Sequence, residues 1–164
     1  MGLFTFIKDA GAKIFGGKTS KEKAAEVKAK DAAREAAEDR EAEQQLRATL
    51  MRLDLEVENL GITIKDDMAK VTGKVASQEI REKVILVIGN SAGIATVDDD
   101  LEVEKKAPEA IFHTVENGDT LSKIAKKVYG NAMKYPVIFE ANKPMLSDPD
   151  KIYPGQVLRI PNLD

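Results

Sequence analysis

The chain has 164 residues, room for one ordinary domain or two small ones, with 43% hydrophobic residues, 32% charged residues and a net charge of -3. That mildly acidic balance counts against nucleic acid as a partner, because phosphate backbones are met by basic faces. The absence of cysteine and the single histidine, His113, exclude a disulfide framework and the usual Cys/His zinc sets, and the missing thiols lean toward a reducing compartment.

Residues 1–17 are apolar and rich in Gly and Ala. Leu3, Phe4, Phe6 and Ile7 make a short apolar run that Lys8 and Asp9 interrupt at once, so it lacks the unbroken core of a secretory signal. Phe6 also stands where a myristoylation pattern requires Ser or Thr. No stretch is long and apolar enough to span a bilayer, so a cytoplasmic protein without stable membrane insertion is expected. Residues 20–53 contain neither Gly nor Pro and are rich in Ala, Glu and Lys, which predicts a long helix. Leu46, Leu50 and Leu53 form one stripe to be buried, while the half from Lys21 to Asp39 is expected to be solvated. No heptad is sustained there, and the chain is expected to be a monomer.

Residues 54–104 read as strand, strand, helix, strand. Leu60, Ile62 and Ile64 alternate, Asp66-Asp67 turns the chain, and Ala69, Val71 and Val75 follow around Gly73. Ser77 is the expected N-cap of a helix whose stripe is Ile80, Val84 and Val87 and which Gly89-Asn90 closes. Val97, Leu101 and Val103 alternate in a last strand, and Pro108 marks a linker. In the remainder, His113 to Val115 is a short strand and Asn117-Gly118-Asp119-Thr120 turns and caps a helix with Leu121, Ile124, Ala125 and Val128 buried. Gly130 ends it; a second helix carries Val137, Ile138 and Ala141. Tyr153-Pro154-Gly155 is a turn before the closing strand Val157 to Pro161. This order is β-α-α-β, two helices on one side of a two-stranded sheet.

The run Val115-Glu116-Asn117-Gly118-Asp119-Thr120-Leu121, then Ile124-Ala125, Tyr129-Gly130, Ala141-Asn142, Ile152-Tyr153-Pro154-Gly155-Gln156 and Leu158-Arg159-Ile160-Pro161 resembles the LysM family over about fifty residues. Val71-Thr72-Gly73, the helix from Ser77, and Gly93-Ile94 leading into Val97-Asp98-Asp99 resemble the BON family. An opening such as Met1-Gly2-Leu3-Phe4 with Lys8-Asp9-Ala10-Gly11, followed by BON and a terminal LysM, resembles the family of small bacterial cytoplasmic potassium-binding proteins. The Ala/Glu-rich stretch between residues 18 and 40 departs from that pattern. The resemblance implies an α+β chain of two small domains: a BON-like one, with helix, strands and helix in a three-stranded sheet, and a βααβ LysM. The expected boundaries are an N-terminal segment packing on the BON domain (1–17), a helical segment (18–40), BON (41–104), a linker (105–111) and LysM (112–164).

The resemblance also implies K+ as ligand and a role as sensor or buffer. Potassium is selected by several neutral oxygens, mostly backbone carbonyls that replace its water. Helix C-termini supply such carbonyls with a partial negative charge, and glycines let the backbone turn toward an ion. Two segments meet that requirement, Ile7 to Ala12 and Gly89 to Ile94, so carbonyls of Ile7, Ala10, Ala12, Gly89, Ser91 and Ile94 are the expected metal set. An ion joining these segments would stabilise the fold by mass action and change how the two domains dock. The alternative is a glycan-binding module: LysM domains hold N-acetylglucosamine polymers in a groove whose positions here are Gly118, Asp119, Thr120, Leu121, Ile152, Tyr153 and Pro154.

Other patterns carry less. Ala12 to Thr19 fits a relaxed P-loop, but no second strand ending in a magnesium-binding Asp accompanies it. Asp98-Asp99-Asp100 lacks the spacing and Gly of a calcium loop and is expected to be solvated turn acid. His113 has no orienting acid or nucleophile suggested beside it and is expected on a strand surface. Tyr129, Tyr135, Phe139 and Tyr153 are expected to pack rather than to form a sugar platform. No conventional catalytic constellation stands out, so the chain is not read as an enzyme.

Overall fold

The computed structural model describes residues 2–7 and 32–163, with side chains from residue 35 onward in the second span. Ala10, Ala12, the P-loop-like stretch and most of the 18–40 segment lie outside the described residues. The described elements are β1 (Gly2–Thr5), α1 (Ala32–Arg52), β2 (Glu58–Lys65), β3 (Met68–Ser77), α2 (Gln78–Gly89), β4 (Thr96–Lys105), β5 (Ile111–Thr114), α3 (Leu121–Tyr129), a 3-10 turn (Ala132–Lys134), α4 (Tyr135–Ala141) and β6 (Val157–Ile160).

Four strands form one sheet in the order β1-β4-β3-β2. β3 and β4 run parallel because α2 carries the chain back between them, and both outer pairs are antiparallel. The three strands expected from residues 54–104 are thus joined by a fourth, the apolar start of the chain, which pairs Gly2 to Thr5 with Asp99 to Thr96. Gly73 has φ +136, and a Cβ there would meet Val57 at 2.6 Å and the Glu58 carbonyl at 2.7 Å. It sits opposite the register shift between Glu58 and Gly61, where β2 presses closest on β3.

α1 buries Leu46 and Leu50 against this sheet, with Leu53 half-buried. Its polar side chains reach the outer edge of β2: Glu43 accepts the Ile64 N–H at 2.9 Å and Arg47 donates to the Leu60 carbonyl at 2.8 Å. An edge strand is thereby closed by side chains rather than by another strand. α2 begins as expected, with the Ser77 hydroxyl accepting the Ile80 N–H. It buries more than its stripe: Val84, Ile85, Leu86, Val87 and Ile88 are all buried, whereas Ile80 is only half-buried. A helix apolar nearly all round needs cover on two sides, and α2 has the sheet on one and β6 on the other.

The acids of β4 are not solvated turn acids. Asp99 is fully buried and takes Arg81 Nε at 2.7 Å, a second guanidinium N–H, and the Leu101 N–H at 3.0 Å. The strand alternation that places Val97 and Leu101 inside places Asp99 inside with them, and only a partner such as Arg81 makes that burial tolerable.

In the C-terminal unit β5 and β6 pair antiparallel, and Val115, Leu121, Ile124, Ala125, Ile138, Leu146, Leu158 and Ile160 form a separate core. Thr120 caps α3 by accepting the Lys123 N–H at 3.1 Å, and Gly130 ends it in the left-handed conformation. The buried stripe stops a turn early, for Val128 is exposed.

Candidate functional site

The end of α2 is where the expected binding segment begins. Leu86 and Ile88 carbonyls accept the Asn90 N–H, while the Ser91 N–H and hydroxyl bond Ile88 and Val87 carbonyls at 3.1 and 2.7 Å. The last-turn carbonyls of α2 are therefore engaged as far as Ile88, which places Gly89 as the first beyond them. The Ile94 N–H reaches the Ser91 carbonyl at 3.4 Å and folds the loop back on itself. Two further attachments hold its far end: Ala95 and Thr96 N–H groups both donate to the Asp67 carbonyl, at 2.8 and 3.2 Å.

The N-terminal segment closes on this loop. Phe6 donates its N–H to the Ala95 carbonyl at 2.7 Å, and its ring lies against Gly89, where a Cβ would fall 2.1 Å from the nearest ring carbon. Glycine is required at 89 by this close approach. Ile7, next in the chain, has an exposed side chain, while Gly89, Ser91 and Ile94 are buried. Of the six expected carbonyl residues, the structure thus brings Ile7 through its neighbour Phe6 to the loop that carries Gly89, Ser91 and Ile94; Ala10 and Ala12 lie outside the described residues. Among the described residues no group of three or more His, Cys, Asp or Glu is arranged to hold a metal ion.

The same loop touches the C-terminal unit. Asn90, nearly fully buried, donates Nδ2 to the Val157 carbonyl and accepts the Val157 N–H at Oδ1, both at 2.9 Å. One helix turn pair earlier, Glu82 accepts Arg159 Nε at 2.9 Å and the Ala110 N–H at 2.8 Å, with its side chain only 4% exposed. Phe4 of β1 meets Phe112 of β5 with ring centroids 5.5 Å apart, and Met145 packs against both cores. Sequence reasoning missed Asn90, Glu82 and Arg159. An Asn after a helix-closing Gly reads as a cap, and nothing in its own neighbourhood announces a partner 67 residues away.

The loops of the expected glycan groove meet just before β6. Val115 donates to the Gln156 carbonyl and accepts from the Gly155 N–H, each at 2.8 Å, which sets the loop carrying Gly118, Asp119, Thr120 and Leu121 beside that carrying Ile152, Tyr153 and Pro154. Gly118, Thr120 and Pro154 are exposed, Asp119 and Ile152 intermediate, and Leu121 and Tyr153 buried. Leu121 belongs to the core and Thr120 to the helix cap, so their side chains are committed. The Tyr153 hydroxyl and Gln156 Nε2 are buried without a hydrogen-bond partner among the described residues, and burial pushes the Tyr153 phenol up. His113 is not a bare surface residue: its Nε2 lies 3.1 Å from Asp119 Oδ2. The Glu116 N–H above all holds the Asp119 carboxyl below its ordinary value; burial opposes it, and the His113 ring adds to the lowering.

These features define a class, an α+β unit carrying a LysM module: residues 113–161 match the LysM domain model. Over 49 residues, 30% of this chain and 19% of the other, the sequence is 53% identical to an uncharacterized protein of Deinococcus radiodurans. Across 161 residues, 98% of this chain and 99% of the other, it is 45% identical to the potassium binding protein Kbp of Escherichia coli O6:H1. The chain belongs to the Kbp family. No described helix is long and apolar enough to cross a membrane.

Proposed function

We propose that this chain is a cytoplasmic, monomeric K+-binding protein that acts as a sensor or buffer, with K+ held by carbonyls of Ile7, Ala10, Ala12, Gly89, Ser91 and Ile94. The four-stranded unit is read as BON-like, and its loop after α2 as the ion-binding loop. The observation that carries the reading is the three-way tie at Gly89 to Ala95: Phe6 of the N-terminal segment, the Asp67 turn and the LysM strand all fasten to it. An ion seated there would order the N-terminal segment and the docking of LysM together, because both attach to the same few residues. The near full-length similarity to a protein named for potassium binding supports the choice of ion. No catalytic role is assigned.

The test is calorimetric titration of KCl, against NaCl, into the full chain in potassium-free buffer. The expected result is saturable heat with K+ and a weaker response to Na+, lost when residues 1–12 are removed. Equal response to the two salts, or none, sinks the proposal. A second reading, binding of N-acetylglucosamine polymers, is favoured by one observation, the buried Tyr153 hydroxyl that has no hydrogen-bond partner among the described residues. Titration with chitin oligomers tests it, and heat that disappears in Tyr153→Phe supports it.

A further inference from the structure

We infer that Asn90 is a positioning residue that ties the ion loop to the LysM strand, and that K+ affinity depends on it although its side-chain oxygen is engaged elsewhere. The inference rests on the K+ reading above and deepens it. Along an antiparallel edge strand, alternate residues turn their N–H and C=O groups away from the partner. On β6 those residues are Val157 and Arg159, and each is met by an asparagine amide that stands in for the missing strand. Asn142 serves Arg159, accepting its N–H at 2.7 Å and donating to its carbonyl at 2.8 Å; Asn90 serves Val157 in the same way. Asn142 belongs to the LysM unit and stays with it. Asn90 comes from the other unit and is the cap residue of α2.

Two opposed hydrogen bonds fix both the position and the plane of the Asn90 amide. Only two torsions separate that amide from its Cα, and the Cα carries the peptide planes of the neighbouring residues. The Gly89 carbonyl, assigned to the ion, lies in the peptide plane that ends on the Asn90 Cα, and the Ser91 carbonyl lies one plane further on. Docking of β6 therefore sets the direction of the Gly89 carbonyl directly and the starting point of Ser91. By linkage, whatever factor docking lends to K+ affinity, K+ returns to docking.

The experiment compares the full chain with Asn90→Ala, Asn90→Asp and Arg159→Met, by calorimetric K+ titration and by the NMR shift of the Val157 amide. Arg159→Met removes the Glu82 pair, a docking contact away from the loop. Asn90→Ala should weaken K+ by roughly tenfold, within the usual range of coupling between sites. Asn90→Asp keeps an acceptor for the Val157 N–H and should fall between it and the unaltered chain. A loss in Asn90→Ala no larger than that in Arg159→Met overturns the assignment, because Asn90 would then be one docking contact among others. Should Asn90→Ala fail to fold, the same comparison is read from Asn90→Asp. An unaltered chain that takes up no K+ sinks the function proposed above, whereas one that binds K+ with Asn90 variants unchanged sinks this inference alone.

Discussion

A methyl group added at Gly89 would meet the rim of the Phe6 ring at 2.1 to 2.3 Å, so the ring must swing away. Overpacking of this kind typically costs about 1–3 kcal/mol. Gly89→Ala is therefore expected to lower the urea midpoint, and to weaken K+ further still by lifting the N-terminal segment from the loop. Wild-type K+ affinity in a destabilised Gly89→Ala would show that Phe6 merely fills space. Asp99 poses the opposite problem, a charge sealed against Arg81, and Asp99→Ala leaves a guanidinium only 11% exposed with Gln78 and the exposed Glu109 as its remaining partners. Breaking such a pair from one side costs about 3–5 kcal/mol, to be read as a fall in unfolding free energy. Asp119 gives a pH signature. Its folded pKa lies below the unfolded one, so its contribution is full above the ordinary carboxylate pKa and is lost as pH falls through the folded value. LysM stability should accordingly fall as pH drops below the ordinary carboxylate pKa, with a contribution to the slope that Asp119→Asn removes; an unchanged slope in that variant would place the effect on another carboxylate.

At the scale of elements, periodicity told most of the story. The alternation of Ile62 and Ile64 and of Val97 and Leu101, the Ser77 and Thr120 caps and the Gly130 terminator all stand where spacing put them, because each is decided within a few residues of itself. What periodicity cannot report is what lies on the far side of an element. α2 has a stripe for the sheet, yet Leu86 and Glu82 are buried too: Glu82 meets Arg159 of β6, 77 residues on, and Leu86 lines a small cavity with Asn142, Pro144 and Met145. The same ignorance hid Asp99, where an alternating strand simply continues inward through an acid. The candidate loop was legible because a helix end and glycines are local features; its fastening to Val157 was not. The docking of α2 on β6 is open to a direct test. Glu82→Arg and Arg159→Glu each place like charges together in a buried contact and should separate the units, seen as a larger radius of gyration in solution scattering. Combining them should bring the radius back toward its original value. A radius unaffected by either single change would mean that the apolar contacts of Phe4, Phe112 and Met145 suffice.

For the whole molecule, the two cores imply two different responses to salt. The buried residues of the LysM core, from Val115 to Ile160, all belong to that unit, and on β6 the other unit's Asn90 meets the backbone of Val157. The four-stranded unit is differently placed: its edge strand β1 comes from the N-terminal segment, and the Phe6 contact that secures it lies on the loop after α2, the proposed ion loop. A ligand that binds only the folded state raises stability by RT ln(1 + [L]/Kd), about 2.7 kcal/mol when the ligand stands at a hundred times its Kd. That increment should fall on the unit that holds the loop. Thermal unfolding of the full chain, followed by amide signals of β3 and of α3 separately, is therefore expected to shift upward for β3 in KCl relative to NaCl at equal ionic strength. The α3 signals should follow only as far as docking through Asn90 and Glu82 carries the gain across, and should lose that share in Arg159→Met. Equal shifts in both salts would assign the stabilisation to ionic strength. A shift confined to α3 would move the site into the LysM unit.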